Sequence, residues 1–174
     1  MKKFHLLLFF IVVVFTGCPR RPAVREGFDM ARYEKIGVME FKSYGSHWES
    51  GSAVTDEFVR KFLGMGYDVV VVQRPSRESE QDYRALADAY DVDAIIAGTV
   101  TRYEPDTKDR VYFRDEDGKV ISEAFIQDAR VGISARLIDG NTGRVMWAHN
   151  HSYSGFEIDY AVRVVVDMLV RRMY

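Results

Sequence analysis

The sequence predicts an α/β fold: a single mixed β-sheet in the order β-α-β-α-β-β-β-α, with the helices packed on the sheet. Three observations predict it. Over the first half of the domain, short runs rich in Val and Ile alternate with amphipathic stretches, as buried parallel strands joined by crossover helices require. The second half changes to strict apolar–polar alternation around a strong turn, the pattern of an antiparallel meander. The last stretch returns to helical periodicity.

Each element follows in order. "KIGVMEF" (Lys35–Phe41) reads as a buried strand, and "KSYGSHWESG" after it as a loop with two glycines. From Ser52, the apolar residues Val54, Phe58, Val59, Phe62 and Leu63 share one helical face, and Gly64 and Gly66 stop the helix. "YDVVVVQR" (Tyr67–Arg74) is a second buried strand. Ser79 opens a second helix presenting Tyr83, Leu86, Ala87 and Tyr90, and "VDAIIAGTVTRY" (Val92–Tyr103) is a third strand. After Pro105 comes a polar segment with a hairpin turning at Asp115–Gly118. "RVGISARLI" (Arg130–Ile138) puts Val131, Ile133, Ala135 and Leu137 on one face, "DGNTG" turns the chain, and "RVMWAHNHSY" (Arg144–Tyr153) is the partner strand. A helix from about Glu157 buries Val162, Val165, Val166, Leu169 and Met173.

The N-terminus sets the compartment. Met1-Lys2-Lys3 is a short positive region, and Leu6–Phe15 is an apolar run followed by Thr16, Gly17 and Cys18, the only cysteine. The run is too short for a hydrocarbon core of about 30 Å, which takes roughly 20 apolar residues, and it has the flanks of a secretory leader. "FTGC" resembles the lipobox of bacterial lipoproteins, with Phe15 where an aliphatic residue is usual. That resemblance implies cleavage before Cys18 and acylation of its sulfur and amine, which places the chain at a membrane through a lipid anchor. A lone cysteine in an exported chain has no intramolecular disulfide partner, so anchoring gives it a purpose. Pro19, in place of the Asp that retains lipoproteins at the inner membrane of enteric-type bacteria, implies the periplasmic face of an outer membrane.

The expected organisation is therefore a leader at 1–17, a lipidated Cys18 with a short tether to residue 34, and one domain over 35–174. Fully extended, the stretch from Pro19 to Glu34 reaches about 55 Å. Loss of Lys2 and Lys3 with the leader takes the net charge from −2 to −4. A mildly acidic chain without a basic cluster does not suit nucleic acid.

No catalytic residue, metal or cofactor is expected. Cys18 is used by the anchor, no Ser sits in a nucleophile elbow, and "GNTG" lacks the Lys-Ser/Thr of a phosphate loop. His149 and His151 share a strand face at a spacing that metal sites use, with His47 and Asp159 as the only added ligands to consider. A solvent-facing polar pair accounts for them as well. The loop Ser43–Gly51 leaves a strand and enters a helix, where open α/β sheets often bind. Tyr44, His47 and Trp48 are its candidate interaction residues, the alternative being that Trp48 simply covers the core edge.

"KIGVMEFKS", "LGMGYDVVVVQR", "ADAYDVDAIIAGTVTRY" and "ARLIDGNTGRVMWAHNHSYSG", in this order behind a lipobox, resemble the periplasmic domain of the curli-secretion (CsgG) superfamily, which includes PelC-type and LpoB-type lipoproteins. The resemblance covers nearly all of residues 35–174. It implies a non-enzymatic domain that acts by binding protein, in rings at export channels or on envelope enzymes. A curli-type pore needs strands of about 9–11 residues with an apolar outward face, and the segment Glu104–Ala129 is too charged for that. LpoB-type activators reach through the wall on a long tether, which this chain lacks. The expectation is a PelC-type accessory lipoprotein of an export or envelope-assembly complex, with a homo-oligomeric ring and envelope protein partners. A regulator of a cell-wall synthase and a small-ligand or metal-binding lipoprotein are the alternatives.

Overall fold

A computed structural model of the chain describes residues 21–73 and 82–174. The leader, Cys18 and the helix start expected at Ser79 lie outside the described residues. Six strands form one mixed sheet: β1 (Ala23–Val24), β2 (Lys35–Met39), β3 (Asp68–Val72), β4 (Ala94–Arg114), β5 (Val120–Asp139) and β6 (Val145–Gly155). Their spatial order is β1-β6-β5-β4-β2-β3. Three helices pack on it: α1 (Glu49–Gly64), α2 (Tyr83–Tyr90) and α3 (Ile158–Arg171). The α/β class, the mixed sheet and the helix placement are those the sequence predicts.

β2 lies between β3 and β4 and is parallel to both, whereas β4, β5 and β6 form the antiparallel meander and β1 pairs antiparallel with β6. Helices cover both faces of β2, so Ile36, Val38 and Met39 are all buried and the strand reads as a continuous apolar run. One face carries the main core. There Phe41, Phe58 and Phe62 stack in a row, with centroids 4.9 Å and 6.1 Å apart, and Val162, Val165, Val166 and Leu169 of α3 close over Ile133, Leu137 and Trp147. The other face carries a smaller cluster, in which Ala87, Tyr83, Leu86 and Tyr90 of α2 meet Met39, Val72, Ile95 and Ile138. The stripes predicted for the second and third helices are therefore the buried ones.

The structure departs from the sequence reading in three places. First, residues 21–34 are not a free tether. β1 bonds to β6, Arg25 N–H donates to the Met146 carbonyl at 2.8 Å, and a 3-10 turn at Met30–Arg32 buries Met30 and Tyr33 in the main core. Isolated apolar residues in a polar segment carry no periodicity, so only the tertiary contact shows them. Second, α1 begins at Glu49 rather than Ser52, and Leu63, expected inside, is exposed. Third, β4 and β5 do not stop at Tyr103 and Arg130. They continue as one hairpin to the turn at Asp115–Gly118, with register shifts that include one between Glu104 and Thr107. Pro105 sits in that shift, where a bulge tolerates a residue without a backbone N–H.

Candidate functional site

Because β2, β3, β4 and β6 run the same way, their carboxyl ends share one end of the sheet. Both α1 and α3 begin there, each entered directly from a strand on the same side. Two strand-to-helix junctions are thereby brought side by side: Ser43–Gly51 after β2, and Phe156–Glu157 after β6.

The first junction is wired by its own serines. Ser43 Oγ donates to the Trp48 carbonyl at 2.5 Å and accepts from Gly51 N–H at 3.2 Å. Ser50, fully buried, donates to the His47 carbonyl at 2.7 Å and accepts from Tyr44 N–H at 2.9 Å. One turn further, Thr55 Oγ1 accepts from Phe41 N–H at 3.0 Å and donates to the Gly51 carbonyl at 2.8 Å, tying α1 to the end of the strand. The approach is close enough to require glycine: a Cβ at Gly51 would lie 2.3 Å from the Phe41 carbonyl oxygen. These contacts start α1 early, and they fix a loop whose side chains point away from the fold.

Trp48 is 79 % exposed, so it does not cover the core edge, and Tyr44 is exposed beside it. His47 turns inward instead. Its ring lies 5.6 Å from that of Tyr103, and its Nδ1 is 3.4 Å from Glu49 Oε1. The Tyr103 hydroxyl is pushed above the usual phenol range, first by burial and then by the carboxylates of Glu49 and Asp159. Those two acids belong to the first turns of α1 and α3, so Tyr103 marks where the two junctions meet.

The second junction was missed by sequence reasoning. Phe156 is 80 % exposed and Tyr160, in the first turn of α3, is half exposed, its ring 6.2 Å from that of Tyr153. With Asp128 and Glu157 they line an open cleft of about 390 Å³. The signal was present in "SYSGFEIDY", a strand-to-helix junction like the first. Its closeness to Trp48 depends on β6 and β2 pointing the same way, which sequence alone does not state. The result is a rim of exposed aromatics on a polar skeleton whose bonds are made internally. Such a surface is suited to binding rather than to bond-breaking chemistry.

His149 and His151 are elsewhere, on the face of β6 that carries Trp147, whose indole N–H donates to the Arg172 carbonyl at 3.0 Å. Burial lowers the pKa of both imidazoles. For His149 the neighbouring His151 and then Arg172 add to this, and for His151 Arg172 does. Among the described residues no three His, Cys, Asp or Glu side chains gather as metal ligands would, so the pair is not joined there by His47 or Asp159. Also among the described residues, no helix is long and apolar enough to cross a membrane.

No protein-family model and no curated protein matches the sequence. Solved structures do match by shape. The PelC dodecamer from Paraburkholderia phytofirmans aligns with a TM-score of 0.61 at 16% identity, over 88% of this chain and 94% of that one. A point variant of that PelC gives 0.60 over 88% and 96%. The lipoprotein GNA1162 from Neisseria meningitidis gives 0.50 at 16% identity, over 79% and 92%. The chain therefore shares, over nearly its whole described length, the fold of PelC, as the resemblance of its sequence implied.

Proposed function

We propose that this chain is a lipid-anchored, non-catalytic accessory protein of an outer-membrane export or envelope-assembly complex, acting by protein–protein association on the periplasmic side. The observation that carries the reading is the match of nearly the whole chain to a subunit solved as a dodecamer. A closed ring needs two different surfaces on each copy, and a domain whose exposed aromatics sit on a rigid, internally bonded frame can supply one. The lipobox at Cys18 supplies the anchor. The ordering of residues 21–34 shortens the tether further: Ala23 lies five residues after Cys18, which is at most about 17 Å of chain. That favours a protein held at the membrane surface over a regulator that reaches across the cell wall.

The test uses the full chain in its native membrane. Acyl labelling should be lost in Cys18→Ser. Crosslinking before detergent extraction should yield a homo-oligomer of high order, or a complex with an outer-membrane channel. A chain that stays monomeric and takes no envelope partner would overturn the reading.

A further inference from the structure

We propose that the aromatic end of the sheet is a membrane-contact surface: Trp48, Phe156 and Tyr160 sit in the headgroup–acyl interface of the bilayer that holds Cys18, and the β4–β5 hairpin lies obliquely across it. The inference rests on the anchor at Cys18 and deepens the proposed function by giving the domain an orientation.

Chain direction and chain length carry it. β1 is antiparallel to β6, with Ala23 opposite Ala148, so the residues before Ala23 lead toward the end of the sheet where the aromatic rim lies. From Ala148 to Gly155 is seven residues of strand, about 23 Å. Cys18 is only five residues from Ala23, at most about 17 Å. An acylated Cys18 therefore cannot rise past the end of β6, and the headgroup layer that takes its acyl chains is drawn down to the level of the rim. What the rim presents there is Trp48 and Phe156, both about four-fifths exposed, and half-exposed Tyr160. Tryptophan and tyrosine are the side chains that membrane interfaces favour, because an amphipathic ring fits the headgroup level.

The hairpin settles the tilt. Beyond the Ala129–Gly155 pair it runs nine more residues, Val120 to Asp128, about 30 Å. Standing along the membrane normal, it would cross a hydrocarbon core of about that thickness. It would carry Arg110, Arg114, Glu123 and the acids of the Asp115–Asp117 turn with it, which hydrocarbon does not favour. Lying obliquely, it keeps those charges among headgroups and water. Exposed Tyr112, Phe113 and Ile121 then reach the same interface.

The experiment uses the full-length chain extracted from its membrane and reconstituted into phosphatidylcholine vesicles whose acyl chains are brominated near the headgroup. Mass spectrometry first reports the acyl mass on Cys18. The two tryptophans are Trp48 and fully buried Trp147, so Trp48→Phe gives the background. Trp48 should lose roughly half its emission in these vesicles and less when the bromines lie near the chain ends, as an interfacial ring does. Phe113→Trp placed in the Trp48→Phe chain should be quenched in the same way. An acylated chain with unquenched Trp48 overturns the contact surface while the anchor stands. Emission of Trp48 that changes with protein concentration instead of with bromine assigns the rim to a second copy and overturns it too. Quenching of Trp48 without quenching of the Phe113→Trp probe overturns the oblique hairpin, and absence of the acyl mass overturns the anchor and the seating together.

Discussion

At the scale of single residues, the junction after β2 depends on one hydroxyl. Thr55 Oγ1 is the acceptor for the Phe41 N–H, and both residues are buried, so bulk solvent does not replace that bond. Thr55→Val keeps the shape and orphans the donor, which costs about 1–3 kcal/mol. Urea unfolding should show the loss as a lower midpoint at unchanged slope, with Thr55→Ser restoring most of it. The histidines of β6 act on pH dependence in the opposite sense from a paired imidazole. Burial lowers their folded pKa values, so below the ordinary value of about 6.5 the unfolded chain binds more protons than the folded one. Their effect on stability is absent above that pH and grows as pH falls through it, until the folded imidazoles protonate. The thermal midpoint should therefore drop between about pH 7.5 and about pH 5.5. His149→Gln with His151→Gln should flatten that part of the profile; an unchanged drop would assign it to other groups.

At the scale of elements, the hairpin beyond Glu104 and Arg130 is separable from the core. Its side chains from Tyr112 to Glu123 are exposed, and the main cluster stops at Tyr103 and Val131. A two-stranded hairpin by itself is marginal in water, so it adds little to the fold and takes its own order from the strands it extends. Joining the paired residues Glu104 and Arg130 by an Asn-Gly turn should change the thermal midpoint by no more than a few degrees. Loss of cooperative unfolding would show that the arms are part of the core. The elements that were legible in the sequence share one property: their burial is periodic. The stripe of α3 and the alternation of β5 could be read residue by residue because each faces one core. β1 and the Met30–Arg32 turn could not, since two or three residues cannot display a period. The hairpin arms were half legible. Their turn residues were plain, but Pro105 and the charges around it resembled a loop, and only pairing across the bulge makes them strand. Of the functional surface, Tyr44, His47 and Trp48 followed from their place between a strand and a helix. Phe156 and Tyr160 did not, because their neighbourhood is a product of strand direction.

At the scale of the whole molecule, the anchor and the domain act as one unit only while the chain between them is short. With Ala23 fixed to β6, the length from Cys18 decides how far the rim can leave the bilayer. Inserting about ten Gly and Ser residues between Pro19 and Arg20 raises the maximum reach from about 17 Å to about 50 Å. Neither acylation nor the thermal midpoint should change, because no described contact is altered. The local concentration of rim at the membrane falls steeply with linker length, so Trp48 should lose most of its quenching by headgroup-brominated lipid. Ring closure also requires neighbouring copies to share one orientation, and copies freed from the bilayer plane lose that alignment. The yield of crosslinked oligomer on membranes should therefore fall in the lengthened chain. A protein that must reach a distant envelope enzyme would respond in the other direction, keeping or gaining its complex as the tether grows. One insertion thus separates a domain that works on the membrane surface from one that works away from it.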